Sequence, residues 1–192
     1  PTPIQEKVIP LVLKNRDIIG ISQTGTGKSH AFLLPIMSRI DVNKDCVQAV
    51  ITAPTRELAS QLFNNAKTFT KYLPELRVSL IVGGSDRQRA VNKLSTQPHV
   101  VIGTPGRIKD LSLDAQALQI TTAKTFVVDE ADMTLEFGYL EDITDLCGAN
   151  LPELTEMNAV IKYSVLQAIE GVNSKLEAQD TSCLLYTSDA AD

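Results

Sequence analysis

Ser22-Gln-Thr-Gly-Thr-Gly-Lys-Ser29 is a phosphate-binding loop, and its neighbours decide the fold. An apolar run, Asp17–Ile21, precedes it, and a helical pattern, His30–Ile40, follows it. Strand, loop and helix in that order distinguish a working phosphate loop from a chance run of glycines. Gly25 and Gly27 allow a tight turn that brings backbone N–H groups against phosphate oxygens. The start of the following helix adds partial positive charge. Lys28 is placed to reach the β- and γ-phosphates, and the Ser29 hydroxyl to ligate Mg²⁺. A magnesium-bound nucleoside triphosphate is the expected ligand.

Val128-Asp-Glu-Ala-Asp132 stands about a hundred residues downstream, at the end of the buried-strand run Thr125–Val128. Ligands bind at that edge of an open parallel sheet. Asp129 is the candidate magnesium partner, through water, and Glu130 the candidate to orient or deprotonate the attacking water. Lys28, Asp129 and Glu130 form the expected catalytic set. Two acids at a strand end are often only solvated turn residues; in company with the loop they read as a site.

Further apolar runs lie at Ala49–Thr52, Val78–Val82 and Val100–Gly103, with helical patterns at Gln5–Leu13, Lys28–Ile40, Arg56–Tyr72 and Asp86–Leu94. Unbroken Val/Ile runs predict strands buried on both faces, hence an α/β, three-layer fold with a mostly parallel sheet. The 192 residues, 43% of them hydrophobic, suffice for one domain with a core and leave a remainder. No apolar run is long enough for a membrane span, so no membrane partner is expected. Cys46, Cys147 and Cys183 form no disulfide or zinc pattern, and a reducing cytoplasm is the expected setting. His30 and His99 are isolated and read as structural.

The net charge of −5 argues against a nucleic-acid binder only until it is divided. Residues 1–153 carry 16 basic and 17 acidic side chains, net −1, and residues 154–192 carry 2 and 6, net −4. A near-neutral body can hold a phosphate backbone through a local basic patch.

Four more motifs complete the set: Pro1-Thr-Pro-Ile-Gln5, Pro54-Thr-Arg-Glu-Leu58, Gly83-Gly84 and Thr104-Pro-Gly-Arg107. In this order, with the loop and Asp-Glu-Ala-Asp, about residues 1–150 resemble the first RecA-like domain of a DEAD-box RNA helicase, in wording closest to the bacterial, cold-shock-associated members. The resemblance implies ATP and Mg²⁺ as cofactors and RNA as partner. Gln5 is implied to read the adenine edge, and Ser22, Gln23, Thr24, Gly25, Thr26, Gly27, Lys28 and Ser29 to cradle the phosphates. Pro54, Thr55, Arg56, Gly83, Gly84, Thr104, Pro105, Gly106 and Arg107 are implied to grip the RNA backbone without reading sequence. Arg87, Arg89 and Lys93 could extend that patch, although a solvated helix face explains them as well. Gln5 with Asp-Glu-Ala-Asp argues against a DNA-directed motor or a transporter ATPase.

The chain also departs from the family. The aromatic residue that precedes the Gln5 motif is absent, as is the second RecA-like domain with its arginines. After Leu151-Pro-Glu-Leu154 a strand ending in Ser-Ala-Thr is due. Leu154, Met157, Ile161, Val165, Ile169, Val172 and Leu176 instead predict an amphipathic helix of about 24 residues. A frameshift or chimeric join near residues 152–158 accounts for this; a divergent insertion is the alternative. Cys183–Asp192 resembles a translated adapter from a DNA sequencing library. The expected organisation is therefore an ATP-binding domain over 1–152, clipped at its start, a tail over 153–182 that is helical over 153–178, and an artefactual end over 183–192, with disorder over 179–192. The implied activity is ATP-dependent RNA unwinding or remodelling by the parent protein, with this chain as a nucleotide-binding fragment; a non-catalytic nucleotide- and RNA-binding module is the alternative.

Overall fold

A computed structural model of the chain describes residues 1–22, 25–84, 86–150 and 183–188. Helix α1 spans Pro3–Leu13, β1 Ile18–Ser22, α2 Lys28–Arg39, β2 Ala49–Thr52, α3 Arg56–Thr70 and β3 Val78–Ile81. Then come α4 Arg87–Lys93, β4 Val100–Gly103, α5 Pro105–Lys109 with a π-helical turn over Asp110–Asp114, β5 Thr125–Val128, α6 Ala131–Glu136, α7 Leu140–Asn150 and β6 Cys183–Ser188. The predicted helix over 153–178 lies outside the described residues.

The strands form one sheet in the order β1-β6-β5-β2-β4-β3, and every pairing is parallel. Alternation along the strands supplies two cores. Val50, Val101, Phe126 and Val128 face one side and pack with Ile108, Leu111 and Leu146. Ile51, Val100, Ile102 and Val127 face the other and pack with Val8, Phe32, Ile36 and Leu62. Helices thus cover both faces, which is why β2 and β4 are buried throughout. Strand β3 has the sheet's outer position and is buried only at Ile81, so the expectation of burial on both faces fails there. Gly103 lets β3 and β4 close up at their ends: an added Cβ would stand 2.0 Å from the Ile81 carbonyl oxygen. No helix among the described residues is long and apolar enough to cross a membrane.

One expectation is corrected. The end of the chain was expected to be disordered, yet Cys183–Ser188 forms β6, paired with β1 from Ile18↔Leu184 to Ser22↔Ser188 and with β5 from Phe126↔Cys183 to Val128↔Leu185. The physical reason is an open place in the sheet. With β1 and β5 one strand apart, each faces the other with backbone donors and acceptors that need partners. Leu184-Leu185-Tyr186-Thr187 is rich in strand-forming residues and occupies it.

Candidate nucleotide and RNA sites

The parallel arrangement brings the ends of β1 to β5 to one edge of the sheet, and the loop, acid and RNA motifs follow those ends. At β1 the chain turns into α2 through Gly25 (φ +79°) and Gly27 (φ +91°), both left-handed. A Cβ at Gly27 would also lie 2.5 Å from Gln5 Nε2 and displace that amide. Gln5 itself is engaged locally. Its Oε1 accepts from the Thr2 N–H at 3.0 Å, and its Nε2 donates to the Gly27 carbonyl at 3.3 Å. Gln5 thus ties α1 to the loop, a contact that the adenine assignment did not foresee. One amide donor and one lone pair remain in its inventory for a base edge. Gln23, Thr24 and the Ser22 side chain fall outside the description; Thr26 and Ser29 are half-buried beside Lys28.

Lys28 is only 6% exposed, and its Nζ lies 3.9 Å from Glu130 Oε1. Strand β5 delivers the acids. The Asp129 N–H bonds to the Thr52 carbonyl at 2.9 Å, which fixes the residue to β2, and its side chain is 5% exposed. Burial pushes Asp129 up to about 7; the Glu130 carboxylate adds to the rise and Lys28 opposes it. Glu130 adopts φ 48°, ψ 57° as the residue that opens α6. A non-glycine residue in that region costs about 1–3 kcal/mol and persists only where its surroundings hold it. Thr134 does so: its buried hydroxyl donates to the Glu130 carbonyl at 3.0 Å, and its backbone N–H donates to the same oxygen at 2.9 Å.

The donor set suits magnesium bound to a nucleotide. One buried carboxylate and one hydroxyl are too few for an all-protein cage, but enough for an ion that keeps waters and phosphate oxygens. A cation here would also relieve the cost of ionising Asp129.

The second group of motifs lines a cleft of about 660 Å³. All the residues predicted for RNA contact except Gly84 and Pro105 line it. Thr55 caps α3, its hydroxyl accepting from the Leu58 N–H at 3.2 Å, so capping and a place in the cleft coexist in one residue. The Arg56 guanidinium lies over Gly83 and Gly84, where added Cβ atoms would come within 3.0 and 2.9 Å of it. Arg107 is held by Asp110, which also accepts from Arg87 Nε at 2.8 Å. Both arginines are therefore positioned and partly neutralised by one carboxylate, which the sequence did not reveal. The cleft also includes Phe137 and Tyr139, singled out by no motif. The signal available was Phe137-Gly-Tyr139, a glycine flanked by two rings just after the Asp-Glu-Ala-Asp helix. His99 is fully buried, its Nδ1 accepting from the Arg77 N–H at 3.1 Å, and burial lowers its pKa; it is part of the frame.

A phosphate loop after β1, an acid pair after β5 and an arginine-bearing cleft on the same edge of a parallel sheet define a RecA-like nucleotide-binding domain. Residues 2–164 match the DEAD/DEAH box helicase family, and the chain belongs to it. It is 54% identical over 158 residues to the DEAD-box ATP-dependent RNA helicase CshB of Listeria monocytogenes, covering 80% of this chain and 36% of that protein. It is 50% identical to CshB of Bacillus subtilis, over 82% of this chain and again 36% of the relative. CshA of Bacillus cereus is 40% identical over 85% of this chain and 30% of its own length. The chain thus spans about a third of the length of these relatives. Among solved structures, a DEAD box protein from Methanococcus jannaschii superposes with a TM-score of 0.71 at 29% identity, covering 97% of this chain and 43% of that one.

Proposed function

We propose that this chain is the ATP-binding half of an ATP-dependent RNA helicase, whose parent couples RNA-stimulated ATP hydrolysis to duplex unwinding or remodelling. The observation that carries the proposal is the buried pair Lys28 and Asp129, with the half-buried Glu130 beside Lys28, on the same sheet edge as the Arg56 cleft. When bound, the magnesium nucleotide supplies the phosphoryl group that is transferred to water. Lys28 neutralises phosphate charge, and the backbone N–H groups of 22–29 cradle the phosphates. Ser29 and Asp129 hold the ion, Asp129 through water, and Glu130 orients the attacking water. Gln5 selects adenine. Arg56 and Arg107, with the glycines and threonines of their motifs, hold the RNA backbone.

By itself the chain is proposed to bind both ligands with very slow turnover. The relatives are more than twice as long, and in the family the second domain supplies the arginines. An arginine acting on the transferring phosphate is worth about 10³–10⁵ in rate. The domain is proposed to end near residue 152, with 153–182 off-frame or chimeric and 183–192 of adapter origin even though 183–188 is taken into the sheet. A cytoplasmic setting is proposed from the cysteine pattern. Phosphate release by the 192-residue chain, with and without RNA, tests the reading. Near-background hydrolysis that Glu130→Gln barely changes is expected, against loss of turnover by the same substitution in a full-length parent. Robust RNA-stimulated hydrolysis by the chain alone would contradict it.

A further inference from the structure

Helix α6 is capped at its start by Glu130, in the nucleotide site, and at its end by Phe137, in the RNA cleft. Six helical residues therefore separate the two sites along the chain. Phe137 is 53% exposed, and of the large apolar side chains that stand exposed among the described residues it is the one lining the cleft. Gly138 follows with φ +80°, and Tyr139 turns back against the motif wall: an added Cβ on Gly106 would lie 3.9 Å from the Tyr139 ring. The cleft thus has an Arg56 side, stacked over Gly83 and Gly84, and an aromatic side formed by Phe137 and Tyr139.

An isolated exposed phenylalanine needs no explanation. One that shares a cleft with a second ring and with a guanidinium suited to phosphate is placed as single-stranded nucleic acid requires. Charge tracks the backbone, and a π-face takes a base. We propose that Phe137 is a base-stacking contact for single-stranded RNA held in this cleft. The inference rests on the RNA assignment of the cleft and adds to it: contact extends beyond sugar and phosphate, yet stays tolerant of sequence because every base has a π-face. A double-stranded segment keeps its bases stacked on one another, so this contact favours the separated strand.

The test uses the whole 192-residue chain and fluorescence anisotropy at one fixed, low salt concentration. The probes are a labelled oligouridylate of about ten nucleotides and an abasic ribose-phosphate strand of equal length and charge. Phe137→Ala is expected to weaken oligouridylate binding by about fivefold or more and to leave abasic binding within about twofold. Phe137→Trp is expected to restore the difference. Arg56→Ala should weaken both strands alike. Phe137 is exposed, so its replacement leaves the core intact, and an unchanged melting temperature checks this. Phe137→Ala binding both strands as the unaltered chain does, or losing both equally, would overturn the stacking role and leave the RNA assignment standing. An unaltered chain that binds neither strand would overturn that assignment and this inference with it.

Discussion

Asp129→Asn should stabilise the nucleotide-free protein at neutral to alkaline pH, although it removes a residue proposed to act in catalysis. Asp129 is 5% exposed and rises from 3.8 to about 7, first through burial and then through the Glu130 carboxylate. A carboxyl raised above its unfolded value is favoured in its neutral form on folding. The penalty is absent below about pH 4, grows as pH climbs between the two values, and is complete above about 7. At 1.36 kcal/mol per pH unit its ceiling is about 4 kcal/mol. Asparagine removes the charge but adds amide donors that need partners, so about 1–3 kcal/mol is expected at pH 8. That is a rise of about 3–10 °C in melting temperature for a domain of this size. Thermal unfolding at pH 8 and near pH 4 reads it: the gain at pH 8 should vanish at pH 4. Magnesium nucleotide should then raise the melting temperature of the unaltered protein by more than that of the variant, since the cation rewards the charged carboxylate. A variant less stable at pH 8, or a gain independent of pH, would refute the reasoning.

Gly103→Ala should destabilise the domain by about 3 kcal/mol or more, because its Cβ would stand 2.0 Å from the Ile81 carbonyl oxygen and β3 would have to move; chemical denaturation checks this, and a loss below about 0.5 kcal/mol would mean β3 and β4 are not so close. Deleting residues 183–192 should lower amide-exchange protection in both Ile18–Ser22 and Thr125–Val128, which β6 joins; unchanged protection would show that the sheet does not depend on that strand.

The regular parts of the fold were legible because burial on two faces leaves a compositional trace. Ala49–Thr52, Val100–Gly103 and Thr125–Val128 are unbroken apolar runs, and each became a strand with the predicted bounds. α5, α6 and α7 were not anticipated. The first two have five and six residues, too few for a helical period to register, and Thr104 and Glu130 at their starts read first as site residues. Strand β6 was missed for a different reason: its resemblance to an adapter set aside a Leu-Leu-Tyr-Thr run whose local preference for a strand was plain. In the site, the order of the motifs along the strands was enough to expect Lys28 and the acid pair at one sheet edge, where Lys28 does lie against Glu130. Partnerships were not. That Asp110 restrains both Arg87 and Arg107, or that Gln5 braces Gly27, depends on contacts between segments that no local pattern encodes. Phe137 has the composition of a core residue, and only its exposure in the cleft marks it otherwise.

The most direct test is calorimetric titration of the chain with ATP and with GTP in the presence of Mg²⁺, repeated for Lys28→Ala. ATP is expected to bind measurably tighter than GTP, through Gln5 beside the loop, and Lys28→Ala to lose most of the affinity. Equal affinities would remove the adenine role of Gln5, and unchanged binding by Lys28→Ala would contradict the assignment of residues 22–29 as the phosphate site.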